Sequence, residues 1–379
     1  MAKKKLLFFS IFIIIILVFV LTIYNIIYKN NNIYLNNKDA APNFISIMLE
    51  ETAGSGEYKV SKSNKWPSKG YVFNKEMSYC NNGSTLTWNE NDNSVSVNIN
   101  KTDKCYVYFD IYVPTLAEYV KSQYTGTQGN NNIYHHDGTL ENGIDDGSYR
   151  YAGPSDTTNN YVCFGSDANP CPDANLFRII GVFGDQTKVI RAKSVGDQKW
   201  HTSESNTWSS SSLNAYLNGT YLTSLGTIAE KIATTTWKVG GSSWSNIDNV
   251  VPATAYQYEV GTSASTTTVD KKIGLMYVSD YYYSASPSAW TLVGYNKSDA
   301  TKDYSAAKTI NWLYLGSKEW TISRVFDETF SAFIVDGSGH VFSYSVNFSN
   351  FAVRPSFNLD STVTYVSGDG TKSNPIRIN

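Results

Sequence analysis

One uninterrupted apolar run near the amino terminus restricts the possible architecture more than any other feature of the chain. Residues 6–27 read LLFFSIFIIIILVFVLTIYNII and contain no charged side chain. A helix of this length rises about 33 Å, which is enough to cross the roughly 30 Å hydrocarbon core of a bilayer. We therefore predict a transmembrane helix over residues 6–28, preceded by a short tail, residues 1–5.

The charges around this run predict its orientation. Lys3, Lys4 and Lys5 precede it, whereas Lys29 alone follows closely. Positive residues remain on the cytoplasmic side, so we expect a cytoplasmic amino terminus in the cell membrane and an extracellular carboxy-terminal region. Two alternatives are a cleaved signal peptide and a buried core helix. A signal peptide has a shorter apolar region that ends in small residues, which residues 25–28 (NIIY) do not provide.

Composition indicates the kind of fold that follows the anchor. The net charge is −2, and the lysines at the start form the only basic run, so we expect no nucleic-acid partner. The chain contains 28 tyrosines and 4 methionines among many Asn, Ser and Thr residues. Aromatic and β-branched residues favour strands, which predicts a β-rich α+β fold.

The four cysteines all follow the predicted anchor and form two sequence-local pairs. An even number of cysteines in an exported chain favours disulfide bonds, most simply Cys80–Cys105 and Cys163–Cys171. Structural zinc is the alternative, but the sequence contains no CxxC pair, and its histidines lie elsewhere. We therefore expect two structural disulfides.

The sequence beyond the anchor divides into four segments. Residues 29–42 are Asn-rich and predict a stalk, and residues 43–114 show alternating strand patterns that predict a small disulfide-tied β domain. Residues 115–148 begin with a short helix signal and continue as a Gly/Asn-rich connector. Residues 149–379 predict a larger mixed domain, with turn sequences at residues 184–186 and 336–339 that indicate hairpins.

The connector contains the chain's best candidates for a metal site. Asp145 and Asp146 follow His135 and His136 in this segment, and we regard the two aspartates as candidate calcium ligands. Adjacent histidines point in different directions, and the acidic residues lack the alternating spacing of a calcium loop. A solvated loop is the simpler interpretation, so we expect no cofactor and keep calcium as an untested possibility.

A dense group of aromatic residues suggests a binding surface. Tyr281, Tyr282 and Tyr283 follow one another at the end of a predicted strand, and Trp290 comes soon after. Three successive rings in a strand-to-loop segment do not all face inward, so we expect at least one to be exposed. Exposed rings stack on sugars or anchor protein partners. The alternative is that most of these rings lie in the core.

Several motifs resemble those of known proteins. They are SLNAYLN after Trp208, IGLMYVSD from Ile273, WLYLGS from Trp312 and VRPSFNL from Val353. This pattern, over roughly residues 140–379, resembles a domain of uncharacterised, membrane-anchored surface proteins of low-GC Gram-positive bacteria.

The arrangement is more distantly similar to the fold shared by formylglycine-generating enzymes and C-type lectins. The resemblance implies a C-type-lectin-like domain over residues 149–379. The late copper-binding cysteines of formylglycine-generating enzymes have no counterpart in this chain, because no cysteine follows Cys171. The calcium-binding tripeptides of the lectins are also missing from the sequence.

These observations lead to an expected function in general terms. The sequence contains no HExxH, GxSxG or P-loop motif. We expect a non-catalytic, surface-displayed binding or adhesion protein that recognises a cell-wall glycan, a host glycan or a surface protein. The alternatives are an extracytoplasmic enzyme that acts on glycan or peptide, with two carboxylates in a cleft, and a self-associating component of the envelope.

Overall fold

A computed structural model describes residues 44–63, 65–67, 70–89, 94–98 and 102–379. The described residues form two compact units, one within Met1–Val113 and the other within Pro114–Asn379, which we call the amino-terminal and carboxy-terminal units. The predicted tail, anchor and stalk lie outside the described residues. Within the residues described, no helix is long and apolar enough to cross a membrane.

The amino-terminal unit is a small β structure. Its described strands are β1 Phe44–Glu50, β2 Tyr58–Val60, β3 Tyr71–Cys80, β4 Thr85–Asn89, β5 Ser94–Asn98 and β6 Lys104–Ile111. Four of them form a sheet in the order β2-β1-β6-β3, and β4 pairs with β5 as a separate antiparallel hairpin. Ile47, Val107 and Phe109 form the centre of its core.

The first disulfide lies within this sheet. Cys80 and Cys105 are directly opposite each other in the antiparallel pair of β3 and β6, and their sulfur atoms are bonded. Cys163 and Cys171 are bonded in the other unit. Both predicted disulfides are therefore confirmed.

The carboxy-terminal unit is a mixed α+β structure with many strands and few helices, as the sequence predicts. Its strands are β7 Ile133–His135, β8 Tyr149–Tyr151, β9 Tyr161–Cys163, β10 Leu176–Phe183, β11 Gln186–Arg191, β12 Asp197–Gln198, β13 Thr235–Lys238, β14 Thr268–Lys271, β15 Glu319–Arg324, β16 Ser331–Val335, β17 Val341–Ser345, β18 Phe351–Ala352, β19 Ser356–Asn358, β20 Tyr365–Ser367 and β21 Ile376–Ile378.

The strands of this unit form two larger sheets and one small one. The first follows the order β19-β11-β10-β9-β21-β20, with β8 pairing to both β10 and β7. The second follows β12-β18-β15-β16-β17, and β13 and β14 form a two-stranded sheet. The pairs β10–β11 and β16–β17 are antiparallel and flank the two predicted turns, so both predicted hairpins are confirmed.

Short helices connect the strands. They are α1 Leu116–Gln123, α2 Ser212–Tyr216, α3 Leu222–Ser224, α4 Pro252–Glu259 and α5 Val278–Tyr283, with a π-helical turn at Leu217–Tyr221. Turns of 3₁₀ helix occur at Asn130–Asn132, Asp173–Asn175, Trp208–Ser210, Gly226–Lys231, Trp244–Asn246, Pro287–Ala289, Ala300–Lys302 and Tyr304–Ile310.

Local sequence explains where two of these helices begin. The Thr115 hydroxyl accepts a hydrogen bond from the Glu118 backbone N–H, and the Glu118 carboxylate accepts one from the Thr115 N–H, which together cap α1. Pro252 occupies the first position of α4, where the missing N–H costs no helical hydrogen bond. A single large core, centred on residues such as Trp200, Trp208 and Trp320, joins the helices to the two larger sheets.

Candidate ligand-binding cleft

The structure does not place the predicted tyrosines on the surface. Tyr281, Tyr282 and Tyr283 belong to helix α5 rather than to a strand followed by a loop, and each is at most 1% exposed. Trp290 is also buried. The expectation that at least one of the three tyrosine rings is exposed is therefore wrong.

The physical reason is that the surrounding segments supply an acceptor for every hydroxyl group. Tyr281 donates a hydrogen bond to the Gly339 carbonyl oxygen at 3.1 Å, and Tyr282 donates one to Ile247 at 3.0 Å. Tyr283 donates to Asn142 at 3.0 Å. Because each polar tip has a partner, the helix is buried on all sides without leaving an unsatisfied group.

A different place in the carboxy-terminal unit contains an open cleft of about 250 Å³. Its lining residues belong to helices α4 and α5, to strands β8, β10, β11, β13 and β19, and to the segments beside them. Its lining combines aromatic residues such as Tyr256 and Tyr277 with the charged residues Asp146, Lys188 and Asp280. Because these side chains come from segments far apart in sequence, no local motif marks them as a group.

Asp146 and Arg150 form the outer charged pair of the cleft. The Arg150 Nη2 atom lies 2.8 Å from the Asp146 Oδ2 atom, and the same oxygen accepts a hydrogen bond from the Tyr256 hydroxyl at 3.1 Å. Burial alone would raise the pKa of Asp146, but Arg150 and the donors of Ser148 hold it below its usual range. Asp146 is therefore a fixed carboxylate that remains ionised at neutral pH.

Lys188 and Asp280 form the inner charged pair. The Lys188 Nζ atom lies 2.5 Å from Asp280 Oδ2, and both side chains are almost completely buried. Burial lowers the pKa of Lys188, while the charge of Asp280 acts in the opposite direction. The Arg150 Nη1 atom is 3.7 Å from Asp280 Oδ1, which connects the inner pair to the outer one.

Aromatic rings surround these charges. The Lys188 Nζ atom is 4.6 Å from the centre of the Tyr277 ring, and the Arg150 guanidinium carbon is 4.6 Å from the centre of the Phe183 ring. Burial, followed by the charge of Asp146, raises the pKa of Tyr256 to about 12, so its hydroxyl remains a donor at neutral pH. The cleft thus presents half-buried rings beside polar groups whose positions are fixed.

One lining residue offers an unused acceptor. The Asn358 Nδ2 atom donates a hydrogen bond to the Thr235 hydroxyl at 3.1 Å. Its Oδ1 atom is buried and has no hydrogen-bond partner in the described protein. A buried amide oxygen without a donor is unfavourable for the folded state.

The candidate calcium ligands have different surroundings. Asp145 is exposed in a left-handed turn, whereas Asp146 binds Arg150. Among the residues that the structure describes, one group of three potential ligands converges within 4.8 Å, namely Cys80, Asp103 and Cys105. Both of its cysteines are in the disulfide bond. The calcium hypothesis therefore stays a prediction.

Comparison with known proteins gives one family match. Residues 184–361 match the family described as "Domain of unknown function (DUF6273)". This region includes Lys188, Tyr256, Asp280 and Asn358, whereas Asp146 precedes it. Comparisons with curated proteins and with solved structures give no match.

Proposed function

We propose that this chain is a membrane-anchored, extracytoplasmic binding protein whose carboxy-terminal unit recognises a glycan in the cleft between helices α4 and α5 and strands β11 and β13. The observation that carries this proposal is the combination of half-buried tyrosines with fixed polar groups in one cleft. Sugars present apolar ring faces and many hydroxyl groups, so a site of this composition matches both parts of their surface.

The polar groups of the cleft are already held in place. Asp146 is fixed by Arg150 and Ser148, and Asn358 by Thr235. Such groups lose little conformational entropy when a ligand binds, which favours affinity.

The ionised state of Asp146 fits a fixed hydrogen-bond acceptor and does not fit a proton donor. A glycosidase needs one carboxyl group with a raised pKa that donates a proton to the leaving group. The pKa of Asp146 is instead lowered, with Arg150 as the main cause of that lowering. Glu259 has a raised pKa because of its burial, but its two oxygens already accept hydrogen bonds from the backbone N–H groups of Val278 and Ser279.

The proposed location rests on the sequence. The apolar segment at residues 6–28 and the lysines before it support a single-pass anchor with an extracellular carboxy-terminal region. Two disulfide bonds are in keeping with an oxidising compartment.

As part of the same proposal, we assign the carboxy-terminal unit to the C-type-lectin-like folds, on the basis of the motif resemblance. A surface protein remains the alternative partner.

The proposal is tested with the full chain, purified in mild detergent with its disulfides intact. It is applied to a glycan array and to purified cell wall, with and without calcium. We expect saturable binding that Tyr256→Ala weakens by about tenfold or more, because the ring and its hydrogen bond to Asp146 are lost. Tyr258→Ala is the matched control, since Tyr258 lies on the same helix outside the cleft lining.

Two results would contradict the proposal. The first is no binding to any glycan or wall fraction, which would transfer support to a protein partner or to self-association. The second is binding that Tyr256→Ala and Tyr258→Ala reduce equally, which would place the site elsewhere. Dependence on added calcium would direct attention to Asp145.

A further inference from the structure

The inner charged pair of the cleft joins two elements that are far apart in sequence. Lys188 lies on β11 and Asp280 on α5, and 92 positions separate them. Their side chains meet end to end, with 2.5 Å between Lys188 Nζ and Asp280 Oδ2. Exposure of the side chains is 7% for Lys188 and 3% for Asp280. An amine and a carboxyl group are thus held in contact and away from most of the solvent.

The surroundings act on the charges of the pair in opposite directions. The Lys188 Nζ atom lies 4.6 Å from the Tyr277 ring centre, 5.4 Å from that of Trp237 and 5.8 Å from that of Phe183, and the faces of aromatic rings attract a cation. Removing charges from water disfavours the ionised forms, and burial accordingly lowers the pKa of Lys188. Transfer of one proton across the hydrogen bond gives a neutral amine beside a neutral carboxylic acid.

The carboxyl group of Asp280 is also held in a fixed orientation. Its Oδ2 atom accepts a hydrogen bond from the Tyr277 backbone N–H at 2.8 Å, at the start of helix α5. Its Oδ1 atom lies 3.7 Å from Arg150 Nη1. A cation beside Oδ1 stabilises the negative charge that this oxygen gains when a nucleophile adds to the carboxyl carbon.

We propose that Lys188 and Asp280 condense to form an intramolecular isopeptide bond between strand β11 and helix α5. The Lys188 ammonium first transfers a proton to Asp280. The Nζ lone pair then adds to the Asp280 Cγ atom, and the Cγ–Oδ2 bond breaks. Oδ2 leaves as water, which carries the proton already transferred and one further proton from Nζ. The product is a neutral amide, and the reaction uses no oxidant, reductant or other reactant.

The geometry supports this reaction in two further ways. Well-oriented groups within one molecule reach effective concentrations of up to about 10⁵–10⁸ M, which favours a condensation that is unfavourable between free molecules in water. The open cleft also borders both residues, so the released water has an exit. The amide replaces a buried ion pair and leaves Asp146 paired with Arg150.

The cross-link would connect the first large sheet to helix α5, and both linked residues line the cleft. It does not depend on the identity of the ligand. A chain that functions outside the cell gains from such a bond, because it persists when the surrounding structure opens locally. The proposed role in binding and the proposed bond are tested by separate measurements.

The test is the mass of the full chain, purified in detergent, reduced and alkylated, and measured under denaturing conditions. We expect a mass lower by one water molecule than the sequence requires. Digestion with trypsin should give one branched peptide, in which residues 179–191 are joined through Lys188 to residues 273–297 at Asp280. Fragmentation of that peptide locates the bond.

Two variants define the chemistry. Lys188→Arg keeps a cation beside Asp280 but lacks the amine, so its mass should equal the full value for its sequence. Asp280→Asn would release ammonia instead of water, so its cross-linked product should have the same mass as the cross-linked natural chain. A natural chain with no loss of mass and with the two peptides recovered separately would overturn the proposal, whether or not either variant folds.

Discussion

The guanidinium group of Arg354 forms a two-pronged ion pair with the carboxylate of Glu319, in which Nε lies 2.7 Å from Oε1 and Nη2 lies 2.7 Å from Oε2. The second of these nitrogens also donates a hydrogen bond to the Leu313 carbonyl oxygen at 2.6 Å. Both charged side chains are buried. The pair therefore connects strand β15 to the segment before β19 within the core of the carboxy-terminal unit.

Replacing Glu319 by Gln should strongly destabilise this unit. The variant leaves the Arg354 charge buried without a counter-charge, which typically costs about 3–5 kcal/mol. Unfolding by urea, followed through tryptophan fluorescence, measures the change in the free energy of unfolding. Lys193→Ala is the control, because Lys193 pairs with Asp173 on the surface, where an ion pair contributes about 1 kcal/mol or less. Equal effects of the two variants would contradict the prediction.

His136 should make the protein sensitive to acid. It is fully buried, and neither of its ring nitrogens has a hydrogen-bond partner in the described structure. Burial, and then Arg150, lower the pKa of His136 from 6.5 to about 3. Between pH 6.5 and about pH 3, His136 binds a proton in the unfolded chain but not in the folded chain. The neutral, buried His136 therefore does not lower the free energy of unfolding above pH 6.5. As the pH falls from 6.5 towards 3, the free energy of unfolding decreases by up to about 1.4 kcal/mol per pH unit.

The measurement is the free energy of unfolding between pH 7 and pH 4 for the natural chain and for His136→Leu. The variant cannot be protonated at this position, so its stability should fall less steeply as the pH decreases. His201→Asn is the control. Partial burial also lowers the pKa of His201, but its Nδ1 atom accepts a hydrogen bond from the Thr202 N–H, so this variant should change the dependence on pH less than His136→Leu does. If His136→Leu and the natural chain show the same dependence on pH, the buried histidine is not the cause.

The two disulfide bonds should contribute different amounts to stability. Cys80 and Cys105 close a loop with a sequence separation of 25, whereas the separation of Cys163 and Cys171 is 8. Loop-closure entropy predicts a loss of about 3.5 kcal/mol without the first bond and about 2.5 kcal/mol without the second. The small core of the amino-terminal unit has fewer other contacts, so the double variant Cys80→Ala/Cys105→Ala should unfold that unit first.

Scanning calorimetry of the full chain distinguishes these effects. Loss of the Cys80–Cys105 bond should lower the unfolding temperature of the amino-terminal unit and leave the other transition unchanged. The matched pair Cys163→Ala/Cys171→Ala should show the reverse pattern. A shift of both transitions in either variant would contradict the division of the chain into two independently stabilised units.

The structural features that could be predicted from the sequence are those determined by residues close together in the chain. The turn at residues 184–186, the helix that begins after Thr115 and the local cysteine pairs each depend on short-range chemistry, and the structure contains all of them. The Lys188–Asp280 pair is different, because it depends on how distant segments pack. Nothing in the residues around Lys188 distinguishes it from a solvated lysine.

The assignment of residues 278–283 failed for another physical reason. A helix that is half exposed shows alternation of apolar and polar residues with a period of 3.6, and VSDYYY lacks such a pattern because the whole segment is buried. Successive aromatic residues also favour strands. The position of Asp280, which accepts the Tyr277 N–H at the start of the helix, was the one local sign of a helix start.

The same tyrosines should therefore determine stability rather than recognition. Tyr282 is fully buried, and its ring centre lies 4.8 Å from that of Tyr304. Tyr282→Ala should cost about 3–5 kcal/mol, because it removes a large buried ring. Tyr282→Phe should cost only about 1–3 kcal/mol, because it removes the hydroxyl and leaves its acceptor, the Ile247 carbonyl oxygen, without that bond. Tyr258→Ala, on the surface of α4, should change stability by less than about 0.5 kcal/mol. A Tyr282→Ala variant that keeps its stability but no longer binds glycan would instead show that this tyrosine contacts the ligand.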